Sequence, residues 1–183
     1  MSFLNLVFNE KFINDKLYQF NSQKRIKIDD SFLTKSAVLF SIMPYENRPY
    51  DLIIIHRTDR GSRHSGEMSF PGGKFDPLLD NSLEETALRE TEEEIGVPKS
   101  RIKIIGCLDD MVTLTKFIVT PFIGMIDKDQ ILVKEEREVQ EILKIPIDFF
   151  TLNINSLLPE IFFTDKKIDG DFYNLLDFSL FFN

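Results

Sequence analysis

The fold is decided by residues 69–97, which read SFPGGKFDPLLDNSLEETALRETEEEIGV. Within this stretch, Ser82 and Glu85 have the spacing of a capping box, in which a serine hydroxyl and a glutamate carboxylate take up free amides at the start of a helix. Gly96 stands where helices commonly end in a left-handed residue. The pattern therefore predicts a helix over residues 82–95, preceded by a strand that ends in a glycine-rich turn.

This predicted helix has two different faces. At about 100° per residue, one face carries small or apolar side chains that we expect to join the core, namely Ala87, Leu88, Thr91 and Ile95. On the neighbouring face, the carboxylates of Glu90, Glu93 and Glu94 converge, because residues three and four apart are neighbours on a helix. Converging carboxylates are ligands that Mg²⁺ or Mn²⁺ accepts. The alternative interpretation is a solvated acidic face.

Outside this stretch, the pattern predicts strands and helices that alternate along the chain. We expect a helix and a linker in residues 1–34, and a short helix over residues 136–143 that ends before Pro146. Short apolar runs rich in branched residues predict strands over residues 37–42, 52–55, 102–108 and 117–126. This succession indicates a mixed α/β protein.

Composition excludes several classes of protein. The chain has 183 residues, of which 43% are hydrophobic and 28% charged, as expected for a folded domain. Its net charge of −8 argues against nucleic acid as a partner. No apolar run approaches the roughly 20 residues of a membrane span, and the start lacks a signal-peptide layout. Since Cys107 is the single cysteine and cannot form an internal disulfide, we expect a cytoplasmic location and no membrane partner.

Two segments of the chain, Gly72–Lys74 and Arg89–Val97, together resemble the Nudix box, the signature of hydrolases that act on diphosphates linked to another group. The resemblance implies a Nudix α/β/α sandwich with a mixed β-sheet between helices. It implies a single domain over residues 1–183, with a core at 37–150 and a divergent tail at 151–183. It also implies Mg²⁺ or Mn²⁺ as cofactor.

The resemblance assigns roles within the box. Metal would be held by Glu90, Glu93 and Glu94 with the Gly73 carbonyl, and Arg89 would orient Glu90 through an ion pair. Metal-bound water would attack one phosphorus of the diphosphate. Its proton would pass to Glu90, or to an acid on a distant loop. Glu138 is the candidate for the second case, because Glu138–Val139 is similar to a pair that follows the last core strand in this family.

One box glutamate has no counterpart in this chain. Its expected positions hold Leu79 and Asn81, in a loop that is longer than usual. In the family this glutamate organises the turn from loop to helix. We therefore expect Asp80 or Asp76 to take its place.

The segments Ile53–Thr58 and Gly66–Gly73 resemble the motif that precedes the box in coenzyme A diphosphatases. The resemblance implies cleavage of coenzyme A or acyl-coenzyme A into 4′-phosphopantetheine and adenosine 3′,5′-bisphosphate. Substrate phosphates would be bound by a cationic group of side chains, Arg57, Arg63, His64 and Lys74. The chain has no Trp, and the Trp-containing segment expected near the end of such enzymes is missing.

Two other functions stay open at this point. The substrate could be ADP-ribose, NADH or another dinucleotide, because the box says little about the leaving group. Alternatively, the domain could bind a ligand without turnover. For the aromatic-rich tail at 151–183, packing against the core is the role we rank first. A homodimer interface and an acyl pocket are the alternatives.

Overall fold

The computed structural model describes residues 9–14, 16–59 and 66–149. Its helices and strands are α1 (Glu10–Asn14), β1 (Thr34–Met43), β2 (Asp51–Arg57), β3 (Met68–Ser69), β4 (Gly72–Lys74), α2 (Leu83–Ile95), β5 (Ile102–Cys107), β6 (Met111–Val112), β7 (Phe117–Ile126) and β8 (Val139–Pro146). A 3₁₀ turn over Lys99–Arg101 lies between α2 and β5. The strands predicted over 37–42, 52–55, 102–108 and 117–126 are confirmed, and the first two extend further than predicted.

The strands in the described residues form one mixed sheet of eight strands. Its main path has the order β3-β2-β1-β7-β5, while β4 pairs with β1, β6 with β7 and β8 with β2. The central pair, β1 and β7, is parallel, and the other pairs are antiparallel. Because β1 pairs with β2 at one end and with β4 at the other, the two glycines of β4 lie beside the centre of the sheet.

Helix α2 begins and ends where the sequence predicts. The Ser82 hydroxyl accepts the N–H of Glu85 at 3.2 Å. The Glu85 carboxylate accepts the backbone N–H of Asn81 at 2.6 Å, one residue before the amide that a capping box would use. Gly96 has φ 69°, and its N–H donates to the Glu92 carbonyl. Both ends of the helix are therefore fixed by local hydrogen bonds.

Each face of the sheet packs into a different hydrophobic core. On the α2 side, alternate β1 residues such as Ala37 and Leu39 are buried with Ala87 and Ile95 of the helix. The intervening β1 residues, such as Phe40, face the second core, as strand alternation requires. The second core also contains three side chains from separate parts of the chain, Ile13, Phe70 and Ile147.

The helix predicted over residues 136–143 is wrong. These residues lead into and form most of strand β8, whose antiparallel register sets Leu143 opposite Ile54 and Ile145 opposite Leu52. The Glu, Leu and Lys content of the segment favours a helix locally. Pairing with the buried strand β2 overrides that preference, because strand formation depends mainly on tertiary context.

The segment predicted as an N-terminal helix and linker is attached to the sheet. In its described part, helix α1 has five residues, and Tyr18 forms a β-bridge with Cys107. Arg25 is buried and its Nη1 lies 2.6 Å from Asp110 Oδ1, with side-chain exposures of 2% and 6%. A buried, hydrogen-bonded ion pair of this kind holds the segment in one position, although its neighbours form no regular element.

In the part of the chain that the structure describes, none of the helices combines the length and the apolar composition needed to cross a membrane.

Candidate active site on helix α2

The turn into α2 is organised by Asp80, whose side chain is fully buried. Its carboxylate accepts the Asp76 N–H at 3.2 Å and the Thr86 hydroxyl at 2.9 Å. It also accepts Nε and Nη2 of Arg89 at 2.9 and 3.0 Å. Hydrogen bonds from Arg89 lower the pKa of Asp80 to about 2. Of the two acids expected to replace the box glutamate, Asp80 is the one that links loop and helix.

The guanidinium of Arg89 connects this turn to the acidic face of α2. Its Nη1 donates to Glu90 Oε1 and to Glu93 Oε2, both at 2.9 Å. Nη2 also reaches the carbonyl of Lys74 at 3.4 Å. The expected contact between Arg89 and Glu90 is therefore present. Because Arg89 also holds Asp80, it can position Glu90 relative to strand β4.

The Glu90 carboxylate lies directly against the backbone of Gly73. A Cβ atom built on Gly73 would overlap both oxygens and the carboxyl carbon of Glu90. Glycine is required here because it lets the carboxylate approach the strand closely. The Glu90 side chain is 17% exposed, and its burial raises the pKa of the carboxyl above its ordinary value.

Glu94 is the most deeply buried acid of the three on this face, with its side chain 1% exposed. Its Oε1 accepts Arg57 Nη1 at 2.9 Å, and its Oε2 accepts the Gly72 N–H at 2.9 Å. Burial nevertheless raises the pKa of Glu94 to about 7. Both oxygens are thus held by hydrogen-bond donors, and the guanidinium that the sequence assigned to substrate contacts this carboxylate.

A bulge in β8 brings a fourth carboxylate to the same end of the sheet. The register of β2 and β8 shifts between His56, opposite Glu141, and Arg57, opposite Val139. The next residue, Glu138, accepts the Thr58 N–H through its carbonyl at 2.9 Å. The negative charge of Glu138 raises the pKa of both Glu90 and Glu94, so its exposed side chain lies near them. Bulges often re-aim residues beside active sites in this way.

The carboxylates fit a divalent cation by their chemistry, although their present contacts are with arginines. In the described ranges, no group of three His, Cys, Asp or Glu side chains stands ready to hold one metal ion. Arg57 instead contacts Glu94, while Arg89 contacts Glu90 and the more exposed Glu93. The charge of the partly buried Glu90 raises the pKa of the buried Glu94 carboxyl. A hard cation among their oxygens would relieve that repulsion.

The predicted phosphate-binding side chains divide into two sets. Arg57 and Lys74 both line a recess beside the glycines of β4. Arg63 and His64 lie outside the described residues. Of the described pair, Arg57 contacts the acidic face of α2 through Glu94, while Lys74 belongs to strand β4 beside it.

Sequence reasoning missed the residues that form the rest of this recess, which has a volume of about 430 Å³. They come from β1, from the segment before β4, and from the start of β7 with its preceding turn; Phe117 and Ser69 are examples. No local pattern marks them, because only the pairing of β1 with β4 and β7 brings these segments together.

The amino-acid sequence of the chain is similar to those of known proteins. The family profile of the NUDIX domain matches residues 35–164. The chain is 37% identical over 118 residues to the uncharacterized Nudix hydrolase NudL of Yersinia enterocolitica, covering 64% of this chain and 60% of that protein. NudL of Pectobacterium atrosepticum is 35% identical over 97 residues, or 53% of this chain and 50% of the relative. The chain thus spans between half and two thirds of the length of these relatives.

Solved structures agree on the fold. The Nudix hydrolase RenU from M. smegmatis has a TM-score of 0.54 at 17% identity, covering 84% of this chain and 98% of that one. An Ap4A hydrolase from C. elegans, solved as a binary complex, has a TM-score of 0.53 at 16% identity, covering 69% and 94%. The mixed sheet with its helices is therefore the Nudix fold that the sequence predicts.

The family profile covers well over half of the chain, and it includes every residue of the acidic face. Proteins of this family are hydrolases of nucleoside diphosphate derivatives and generally use divalent metal ions. By its sequence, its mixed sheet and helix α2, which carries the Nudix box, the chain belongs to the Nudix family.

Proposed function

We propose that this chain catalyses metal-dependent hydrolysis of the diphosphate linkage in a nucleoside diphosphate derivative. The observation that carries the proposal is the contact of two α2 carboxylates with two glycines, the partly buried Glu90 with Gly73 and the buried Glu94 with Gly72. Acids whose pKa values are raised by burial, and which are held by guanidinium groups as Glu90 is by Arg89 and Glu94 by Arg57, are typical of functional sites. A purely solvated acidic face would leave both carboxylates exposed, whereas the Glu94 and Glu90 side chains are only 1% and 17% exposed.

Glu90, Glu93 and Glu94, with the Gly73 carbonyl, are the groups that would hold Mg²⁺ or Mn²⁺. Such an ion, when bound, activates water and neutralises charge on the diphosphate. Glu90 and Glu94 are already held at the β4 glycines. Glu93 has the most freedom to move, since its side chain is 56% exposed.

The chain's own residues would perform the remaining tasks. Arg89 fixes the orientation of Glu90, and Arg57 fixes that of Glu94. The proton of the attacking water would go to Glu90 or to Glu138, which carry negative charge at the same end of the sheet. Cationic side chains beside the glycines would bind the substrate phosphates, in the manner that guanidinium and ammonium groups suit. Lys74, Arg57, Arg63 and His64 are the residues proposed for this task.

Coenzyme A or an acyl-coenzyme A is the substrate we favour. Support comes from the residues before the box, Ile53–Thr58 and Gly66–Gly73, which resemble the coenzyme A diphosphatase motif. The products would be 4′-phosphopantetheine and adenosine 3′,5′-bisphosphate, and the cationic side chains would contact the 3′-phosphate. A dinucleotide such as ADP-ribose or NADH is the second candidate, favoured by the absence of Trp from the chain.

We also propose that residues 1–183 act as one domain, located in the cytoplasm. The single Cys107 is buried, so the described fold does not depend on an oxidising compartment. A homodimer is a further proposal, which sedimentation analysis would test directly.

Product analysis tests the proposed substrate. Purified protein with Mg²⁺ or Mn²⁺ is given coenzyme A, acyl-coenzyme A, dephospho-coenzyme A, ADP-ribose and NADH in parallel. We expect adenosine 3′,5′-bisphosphate from the first two at a higher rate than AMP from the others. Faster release of AMP from ADP-ribose or NADH would retain the chemistry and reject coenzyme A. No hydrolysis of any member would favour a domain that binds without turnover.

A further inference from the structure

The loop before β8, residues 133–138, is attached to the carboxyl end of helix α2. The Val133 N–H donates to the Ile95 carbonyl at 2.9 Å, and the Glu135 N–H donates to the Glu94 carbonyl at 3.0 Å. Both acceptors belong to the last turn of the helix, where carbonyls have no partner within the helix. The loop is therefore held against the same helix that carries the acidic face.

The turn at the tip of this loop is closed by the carboxylate of Glu135. Its Oε2 accepts the N–H of Arg137 at 2.8 Å and the N–H of Glu138 at 3.0 Å. The Glu135 carbonyl also accepts the Val139 N–H at 2.8 Å. Hydrogen bonds from backbone amides to an ionised carboxylate are stronger than those between neutral groups, so the backbone around Glu138 has a defined position.

Thr58 attaches the same turn to the end of strand β2. Its N–H donates to the Glu138 carbonyl at 2.9 Å, and its hydroxyl donates to the Arg137 carbonyl at 2.8 Å. The residue before it, Arg57, donates to the Glu94 carboxylate at 2.9 Å. Two consecutive residues of the chain thus hold two acids of the candidate site, one through its carboxylate and the other through its backbone.

These hydrogen bonds fix the backbone of Glu138 and leave its side chain exposed. The charge of that side chain raises the pKa of both Glu90 and Glu94. A group that takes a proton must come within about 2.6–3.2 Å of the donor atom, or reach it through one water. A misplacement of about 1 Å can slow such a step about 100-fold. Proton transfer to Glu138 would therefore depend on the contacts that hold this loop.

We propose that Thr58 is a positioning residue, which holds Glu138 where its carboxylate takes the proton of the attacking water. The proposal rests on the proposed function and decides between its two candidate bases, in favour of Glu138 over Glu90. As the water oxygen bonds to phosphorus, the bridging oxygen leaves with the other phosphate, and the water proton passes to the Glu138 carboxylate. Thr58 acts through the carbonyls of Arg137 and Glu138, and not by contact with the substrate.

Steady-state kinetics of four variants test the proposal, with coenzyme A and with ADP-ribose, each with Mg²⁺. Thr58→Val removes the hydroxyl and keeps the shape of the side chain, whereas Thr58→Ser keeps the hydroxyl. Glu135→Ala opens the turn, and Glu136→Ala is its matched control, because it removes the same charge from the same loop and its side chain is 77% exposed. Thermal unfolding checks that each variant is folded.

We expect Thr58→Val and Glu135→Ala to lower kcat about tenfold on every substrate that the wild type hydrolyses. KM should stay unchanged, because the lost interaction acts in the transition state alone. Thr58→Ser should recover most of the rate, and Glu136→Ala should match the wild type. A residue that touched coenzyme A would instead raise KM for coenzyme A and leave ADP-ribose unaffected.

The double variant Thr58→Val, Glu138→Gln separates positioning from general stability. Glu138→Gln alone should lower kcat by about 100-fold or more, as loss of a general base does. Because Thr58 acts through Glu138, adding Thr58→Val should lower kcat no further, which is the non-additivity expected of coupled residues. If Thr58→Val does not fold, Glu135→Ala in the Glu138→Gln background makes the same comparison.

Three results would overturn the proposal while hydrolysis by the wild type persists. They are a wild-type kcat in Thr58→Val or in Glu138→Gln, a loss confined to KM for coenzyme A, and two losses that multiply in the double variant. Failure of the proposed function is distinct from these, because the wild type itself would then hydrolyse no member of the substrate panel, and this proposal would fall with it.

Discussion

Glu90 can approach the β4 backbone because Gly73 has no side chain. Any Cβ at this position would occupy the space of the Glu90 carboxylate. The glycine thus sets the distance between the acidic helix and the strand. Sequence alone marks the glycine pair, but the identity of the group that approaches it follows from the packing of α2 on β4.

Substituting Gly73→Ala should therefore displace Glu90 and lower kcat by about 10- to 100-fold, as loss of ligand positioning typically does. Stability should fall much less, because the added methyl meets the end of a side chain that can rotate. Steady-state kinetics and urea unfolding of the purified variant measure the two effects. Wild-type kcat in a folded Gly73→Ala protein would show that Glu90 need not contact this strand.

Arg57 compensates the charge of a carboxylate that is almost fully buried. At pH 8.5, Arg57→Ala should cost about 3 kcal/mol of unfolding free energy, since Glu94 would lose its charged partner. In a Glu94→Gln background the same change should cost about 1 kcal/mol or less. Exposed Arg101 provides the control, Arg101→Ala. Equal costs in both backgrounds would mean that Arg57 and Glu94 do not interact in solution.

Some contacts of the candidate site could be predicted from the sequence and others could not. The three helix glutamates and the Arg89–Glu90 contact followed from the Nudix resemblance. The spacing of residues in the sequence could not decide between Asp80 and Asp76. In the longer loop, the distance along the chain does not determine which acid reaches Arg89. The Arg57–Glu94 contact could not be predicted either, because it joins a residue of β2 to a residue of α2 that lies 37 positions later in the chain.

At the scale of elements, α2 is held to its preceding loop by the Asp80–Arg89 pair. This pair contributes to stability only while Asp80 is ionised. Because the folded-state pKa of about 2 lies below the unfolded value of about 3.9, the contribution is complete above about pH 4. It is lost as the pH falls through about 2.

Asp80→Asn should accordingly destabilise the protein by about 3 kcal/mol at pH 7, as removal of one member of a buried ion pair does. The difference from wild type should narrow as the pH falls from about 4 towards 2. Urea unfolding at a series of pH values measures it, with Glu92→Gln as a control for loss of one surface charge. A difference that stays constant down to pH 2 would contradict the assigned role of the ion pair.

Elements were predicted well where local signals and tertiary structure agree. Helix α2 has both a serine cap and a left-handed glycine, and its bounds follow from them. Strand β8 was missed because Glu, Leu and Lys favour a helix, whereas Leu143 and Ile145 pair with β2. The bulge that brings Glu138 near Glu94 depends on the same pairing, so its position could not be read from the sequence.

For the whole molecule, the charge distribution predicts a strong response to divalent cations. The chain carries a net charge of −8, and helix α2 concentrates three carboxylates, those of Glu90, Glu93 and Glu94, on one face. A ligand at 100 times its Kd raises the unfolding free energy by about 2.7 kcal/mol. Mg²⁺ or Mn²⁺ at that level should stabilise the wild type by this amount.

The double variant Glu90→Gln, Glu94→Gln should lose this stabilisation, whereas Glu92→Gln should retain it, because Glu92 is exposed. Thermal unfolding with and without the metal ion makes the comparison. Equal stabilisation of all three proteins would place the cation elsewhere on the acidic surface.

Our central proposal is that Glu90 and Glu94 form the hydrolytic centre of this Nudix protein. Its most direct test is the initial rate of diphosphate hydrolysis with Mg²⁺ or Mn²⁺ for wild type, Glu90→Gln, Glu94→Gln and Glu92→Gln. We expect Glu90→Gln and Glu94→Gln to lose at least about 100-fold in kcat, while Glu92→Gln keeps the wild-type rate. If Glu90→Gln and Glu94→Gln hydrolyse the substrate as fast as the wild type, the claim is wrong.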